Sequence, residues 1–445
     1  MISIALRAFV IPAVLILAFV TLHIGDHEMK NRPPIPFCVD RHTSVKKFSD
    51  TIARSVIQKG VDILWSDDPP KGEDVPTDVP LVLSGSVGTF SEGDGTVMTA
   101  GDLDSLFQIQ GDVHVVRGIQ CCGGEKNGIL GCSASGKPII VMEGIPLEAA
   151  AVLWMHELGH NKGLCHRDRS YALMAPDIVE SDTNVNQYEH DVFEGATPNP
   201  CDQEEKSKPK AVDVIQFVHK VFIEGVPYKE GSGYTAAAVP PLLELLDKPD
   251  EQRSWLNIIT VLGMIGDRQA WMPIKKTFER DSGELSPQNY AAKLAVPLAL
   301  GYLLSKGHDQ QDEKILDYLN TGLRPSEWSK RVSWRKSKDQ SDEARNVHLT
   351  TLTILGLGIS GRPEALTTLQ ALYDQLLAMQ ATKADASLKK RSETATSNRA
   401  LQLRGVEPEA LSILKAAIKT NQLVQKDGLV KYYHDSELEQ LGFNL

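Results

Sequence analysis

Eleven residues, His156-Glu157-Leu158-Gly159-His160-Asn161-Lys162-Gly163-Leu164-Cys165-His166, constrain this 445-residue chain more than any other stretch. The stretch from about Leu147 to Gly163 reads as a helix. On such a helix positions i and i+4 share a face, so His156 and His160 present their imidazoles together, with Glu157 beside them. Gly163 can take a positive φ and end the helix, letting the chain reverse and bring His166 back to the same place. Three convergent nitrogens with a fourth position left open are the donor set of a catalytic Zn2+ site, whereas structural sites are closed by four protein ligands.

Downstream, Tyr171-Ala172-Leu173-Met174-Ala175-Pro176 places Met174 eight residues after His166. Together with the histidine string this resembles the metzincin zinc metallopeptidases. The short histidine-to-methionine spacing and the Ala-Leu-Met-x-Pro string are most similar to the matrixin branch. The resemblance spans about Pro36–Cys201 and is specific within Leu153–Pro176. It implies His156, His160 and His166 as zinc ligands, Glu157 as general base, and Met174 as an apolar floor beneath the metal. It also implies that the strand Pro138, Ile139, Ile140, Val141 and Met142 is the substrate-pairing edge strand, so that an extended protein or peptide substrate adds to it through backbone hydrogen bonds. Two departures stand out. Arg167 occupies a position where matrixins usually carry serine, and Pro176 one where some metzincins place a metal-proximal tyrosine. Cys38, in Pro36-Phe37-Cys38-Val39-Asp40, is loosely similar to a cysteine-switch peptide but falls in the first predicted strand.

Around this string the order of elements predicts an α+β domain over residues 36–201. Pro36–His42 reads as a strand and Ser44–Trp65 as an amphipathic helix. Val79–Leu83, Val113–Ile119 and Pro138–Met142 read as strands, Ser84–Gly101 and Gly123–Gly136 as glycine-rich loops, and Val185–Glu194 as a short helix. A polar linker, 202–211, follows. Beyond it strand signals vanish and a glycine repeatedly precedes an amphipathic helix, at Gly266, Gly307, Gly361 and Gly405. Two of the three intervals fit the ~40–47-residue period of HEAT or armadillo-type helix pairs. Residues 212–445 therefore resemble a HEAT-like all-α solenoid, with an insertion at Gly322–Lys338 and a concave face suited to a protein partner.

Residues 1–25 carry one charged side chain, Arg7, beside the apolar run Ala8–Leu22, and a spacer, 26–35, follows. This is a signal peptide or a membrane anchor whose transmembrane helix would tether the chain. Either way the body is exported: secreted, or anchored facing the periplasm or exterior. An oxidising compartment permits disulfides, and of the fifteen pairings of six cysteines the two singled out are Cys122–Cys132 and Cys165–Cys201. The net charge of −11 offers no footprint for nucleic acid. The acidic loop Glu92-Gly93-Asp94-Gly95 with Asp102 and Asp104 suits Ca2+ or solvated turns. The basic stretch Arg324–Lys338, with Trp328 and Trp334, reads as an exposed loop or an anionic contact. The function expected is an exported zinc endopeptidase. The alternatives are a helical-repeat scaffold with a non-proteolytic zinc domain, or a zinc hydrolase of cell-wall peptides.

Overall fold

The computed structural model describes residues 32–65, 74–167, 169, 171–178, 183–199, 213–280, 286–332, 342–389 and 407–440. Strands β1 (Ile35–Phe37) and β2 (Val39–His42) lead into helix α1 (Asp50–Trp65). Next come β3 (Leu81–Leu83), β4 (Gly88–Phe90), β5 (Thr96–Val97) and the short α2 (Ala100–Leu106). Five strands follow: β6 (Val113–Val116), β7 (Gly118–Cys121), β8 (Glu125–Ile129), β9 (Gly131–Cys132) and β10 (Ile139–Met142). Helix α3 (Leu147–Asn161), β11 (Asp177–Ile178) and α4 (Gln187–Phe193) complete a mixed α and β part.

The main sheet has the order β4-β2-β6-β10-β9, parallel except where β9 runs against β10. Every residue of the central strand Val113–Val116 is buried, the mark of a strand covered on both faces. α1 and α3 pack together on this sheet, with Phe37, Val113, Ile139, Trp154 and Leu173 in their shared core. Helix α3 is built of strong helix formers, Leu-Glu-Ala-Ala-Ala-Val-Leu, and is buried on every side from Ala149 to His160.

Several expectations are corrected here. The strand Pro138–Met142 is not an edge: Pro138 precedes β10, and β9 covers its far side, pairing Cys132 with Ile140 and Gly131 with Val141. The glycine-rich stretch read as a loop, Gly123–Gly136, folds into β8 and β9 because its polar residues find partners on the helical part. The first strand divides into β1 and β2, which pair in different sheets. The membrane-crossing helix is also corrected. No helix among the described residues is long and apolar enough to cross a membrane, and residues 1–25 lie outside that set.

Among its described residues the C-terminal part is helical apart from one short strand. It comprises α5 (Val214–Val218), β12 (Val221–Phe222), α6 (Tyr228–Gly231), α7 (Val239–Leu246), α8 (Trp255–Ile265), α9 (Trp271–Glu279) and α10 (Pro287–Ser305). Then follow α11 (Asp312–Gly322), α12 (Pro325–Arg331), α13 (Asp342–Ile359), α14 (Pro363–Lys389) and α15 (Glu407–Gln440). Gly266, Gly307 and Gly361 all take positive φ at the breaks anticipated from sequence, and Gly405 lies outside the described residues. Helices α10 and α13 approach so closely that a Cβ on Gly301 would lie 2.2 Å from the Gly356 carbonyl oxygen. The basic stretch is not wholly an exposed loop. Part of it forms α12, with Trp328 buried against Phe278 and Tyr318 and the Arg331 guanidinium 4.1 Å over the Tyr318 ring. Trp334 lies outside the described residues.

The two parts form one compact unit, Pro34–Leu445. β12 pairs with β11, joining Asp177 to Phe222, and Ile223 is fully buried in the core of the mixed part. From the other side, β8 sends three buried polar residues into the helices. Glu125 accepts hydrogen bonds from Tyr432 and Thr420 hydroxyls, and its carbonyl from Tyr433. Lys126 pairs with Glu437 at 2.7 Å, and the Asn127 amide donates to Thr260 Oγ1 and the Ala295 carbonyl.

Candidate metal centre

Helix α3 delivers His156 and His160 one turn apart, both fully buried. The helix ends as expected: Gly163 has φ +88°, and the reversal returns His166, whose side chain is about one-third exposed. His160 Nε2 lies 3.0 Å from His156 Nε2 and 3.2 Å from His166 Nε2. Backbone carbonyls fix the rings, since Nδ1 of His156 donates to Leu173 O and Nδ1 of His160 to Leu164 O, each at 2.8 Å. With Nδ1 protonated, each neutral ring turns a lone pair on Nε2 toward its neighbour.

Two lone pairs facing each other at 3.0 Å repel unless a cation lies between them. Bonds of ~2.0–2.1 Å in a tetrahedron put ligand nitrogens about 3.3 Å apart, close to what is seen. Burial, then the neighbouring imidazoles, holds His156 well below the ordinary histidine range. Burial, His160 and Lys126 do the same to His166. The residues therefore fit a metal ion. Among the described residues this triad is the one group of three or more histidine, cysteine or acidic side chains placed to hold one.

Glu157 is fully buried, and neither carboxylate oxygen has a hydrogen-bond partner. Burial, and secondarily the charge of Glu224, pushes its carboxyl well above the usual range. It packs on the edge strand: a Cβ on Gly131 would lie 2.5 Å from Glu157 Oε1. Met174 is fully buried beneath α3, and Gly159, between the two helical histidines, makes room for it. The same turn positions His156 through the Leu173 carbonyl. Arg167, the departure noted above, has a structural role here. Its guanidinium pairs with Glu189 of α4 at 2.8 Å, and its amide donates to Met174 O.

One residue was missed. Glu224, just past β12, reaches the triad from the helical part, its Oε1 3.8 Å from His160 Nε2 and its Oε2 3.7 Å from His166 Nε2. It sits in no ligand spacing, and Gly225 beside it, at φ +81°, is the sole local hint of a constrained turn.

The other expectations resolve as follows. Cys122–Cys132 is a disulfide, Cys165 is disulfide-bonded, and its expected partner Cys201 lies outside the described residues. The disulfide leaves Cys165 no free thiolate to offer a metal, and exposed Cys38 is not among the converging side chains. The acidic loop does not gather into a Ca2+ site: Asp94 pairs with Arg117, while Asp102 forms a capping box with Thr99 on α2. No protein-family model, curated protein or solved structure matches the chain, so the metzincin and HEAT resemblances rest on its own residues.

Proposed function

We propose that the protein is a zinc-dependent endopeptidase of metzincin type, with the helical part, HEAT-like in period, recruiting the protein substrate or a partner. The observation that carries this reading is the unpartnered carboxyl of Glu157 beside three histidines whose lone pairs converge. A metal site that only braced the fold has no use for a buried acid without hydrogen bonds, which costs stability. When bound, zinc polarises a peptide carbonyl and acidifies water. The chain's own contribution is proton handling and orientation. Glu157, its proton affinity raised by burial, accepts a proton from the attacking water and delivers it to the leaving amine. The carbonyls of Leu173 and Leu164 hold His156 and His160 in the ligating tautomer throughout. The disulfides support an oxidising, exported setting.

The test is Glu157→Gln in the full chain. Because Glu157 is not a ligand, the variant keeps one metal per chain by elemental analysis. It loses peptide cleavage by roughly 10²–10⁴-fold, read by mass spectrometry of a peptide library. Equal cleavage by parent and variant, or cleavage that survives chelation, overturns the reading.

A further inference from the structure

We infer that Glu224 is the fourth protein ligand of this metal centre, supplied by the helical part, and that it closes the position hydrolysis needs open. The ligand assignment rests on geometry, and its consequence for turnover rests on the endopeptidase reading. Each carboxylate oxygen addresses a different imidazole, at 3.8 Å from His160 and 3.7 Å from His166. Those separations are longer than the 3.0 and 3.2 Å between the imidazole nitrogens themselves, and the carboxylate flanks the triad on its His160 and His166 side.

The charge balance points the same way. The Glu224 side chain is only 13% exposed and faces His160 and His166, with the Glu157 carboxyl nearby. Lys126 is paired with Glu437 at 2.7 Å and shares its charge with Glu224. A further positive charge beside this largely buried side chain is favourable, and the triad can hold one.

The placement is built, not incidental. Leu130 N donates to Ile223 O at 2.7 Å, Ile223 N to Pro176 O at 3.0 Å, and Val226 N to Asn127 O at 3.1 Å. Glu224 itself bridges Ile129 in antiparallel fashion. Gly225 permits the tight turn, since a Cβ there would lie 2.7 Å from the Asn127 carbonyl oxygen. The segment 221–226 is thus bound on both flanks to the two elements that frame the site, and its carboxylate is aimed at the metal position. A substrate carbonyl and an attacking water can use that position only after Glu224 leaves it. The centre is then latent in this conformation, and the strap that holds it shut comes from within the chain.

The experiment uses the full chain loaded with Co2+ in place of zinc, beside Glu224→Gln and Glu224→Ala. Both variants should keep one metal per chain. The visible d–d spectrum should change, and chelator competition should show at least roughly tenfold weaker binding. Peptide cleavage should rise in Glu224→Ala. Spectrum and affinity indistinguishable from the parent in both variants overturn the ligand assignment, even where the parent cleaves peptides. Altered coordination with no cleavage in any protein upholds the ligand and sinks the peptidase reading instead. Should Glu224→Ala fail to fold, the isosteric Glu224→Gln, which retains the backbone bridge, decides the matter through its spectrum and affinity.

Discussion

The contact between Gly159 and Met174 allows a test that does not depend on any enzymatic assay. A methyl group at position 159 would lie 2.3 Å from Met174 Sδ, 3.0 Å from its Cε and 3.4 Å from Leu164 Cδ1. Unstrained contacts run at ~3.5–4.0 Å, so the sulfur must retreat by about 1.2 Å. Met174 is fully buried, which restricts that retreat, and overpacking of this kind costs ~1–3 kcal/mol. Replacing a mid-helix glycine by alanine returns about 1 kcal/mol. The net effect of Gly159→Ala is then about 0–2 kcal/mol, too small to be diagnostic alone. The double-mutant cycle with Met174→Ala separates the terms. With the side chain gone the methyl has room, and only the helix gain remains. The two changes should therefore couple by ~1–3 kcal/mol in urea unfolding of the metal-saturated protein. Metal affinity should fall ~10–100-fold in Gly159→Ala, because the displaced turn carries the carbonyl that orients His156. Additivity within about 0.5 kcal/mol, with unchanged affinity, would show that the turn does not support the centre.

Two further outcomes follow from buried charge. Arg167→Ser, the residue common in matrixins, should lower stability by about 3–5 kcal/mol, since it leaves Glu189, whose side chain is 1% exposed, with the Asn186 amide but without its cation. Restoration of part of that loss by an added Glu189→Gln is expected in urea titrations, and a loss under about 1 kcal/mol would refute the pairing. Burial pushes His348 down to about 4, and its Nε2 has no partner. The unfolded chain, with an ordinary value of ~6.5, binds the proton more readily. Stability from this residue is therefore complete above about pH 6.5 and is lost as pH falls toward 4, by up to about 3 kcal/mol. His348→Phe should flatten that slope between pH 7 and 4.5, and an unchanged slope would exonerate the histidine.

The parts of this molecule legible in its sequence are those where function needs a fixed local spacing. His156, Glu157, His160, Gly163, His166 and Met174 lie within nineteen residues of one another, and local geometry alone brings them together. Helix α3 was legible from composition even though it is buried all round and so has little amphipathic character. What escaped depends on residues far apart. β8 reads as a loop because Glu125, Lys126 and Asn127 are polar, and they belong in a strand only because α8, α10 and α15 answer them. The edge role of Pro138–Met142 failed for the same reason, since β9 has just two residues and no periodicity to reveal it. Glu224 carried no signal, because its partners are 58 and 64 positions away, at His166 and His160.

The bond from Tyr432 to Glu125 spans 307 positions of chain. A ribosome adding ~5–20 residues each second needs about 15–60 s to cover that distance. Throughout that interval β8 emerges with its acid unanswered, and the strand that frames the histidines waits for the last helix. The histidine string is thus made early, but its surroundings assemble last. Severing the helical part would leave β8 with bare polar groups and β11 without its partner strand. Newly made copies spend about 15–60 s without the helix that completes the surroundings of the histidines.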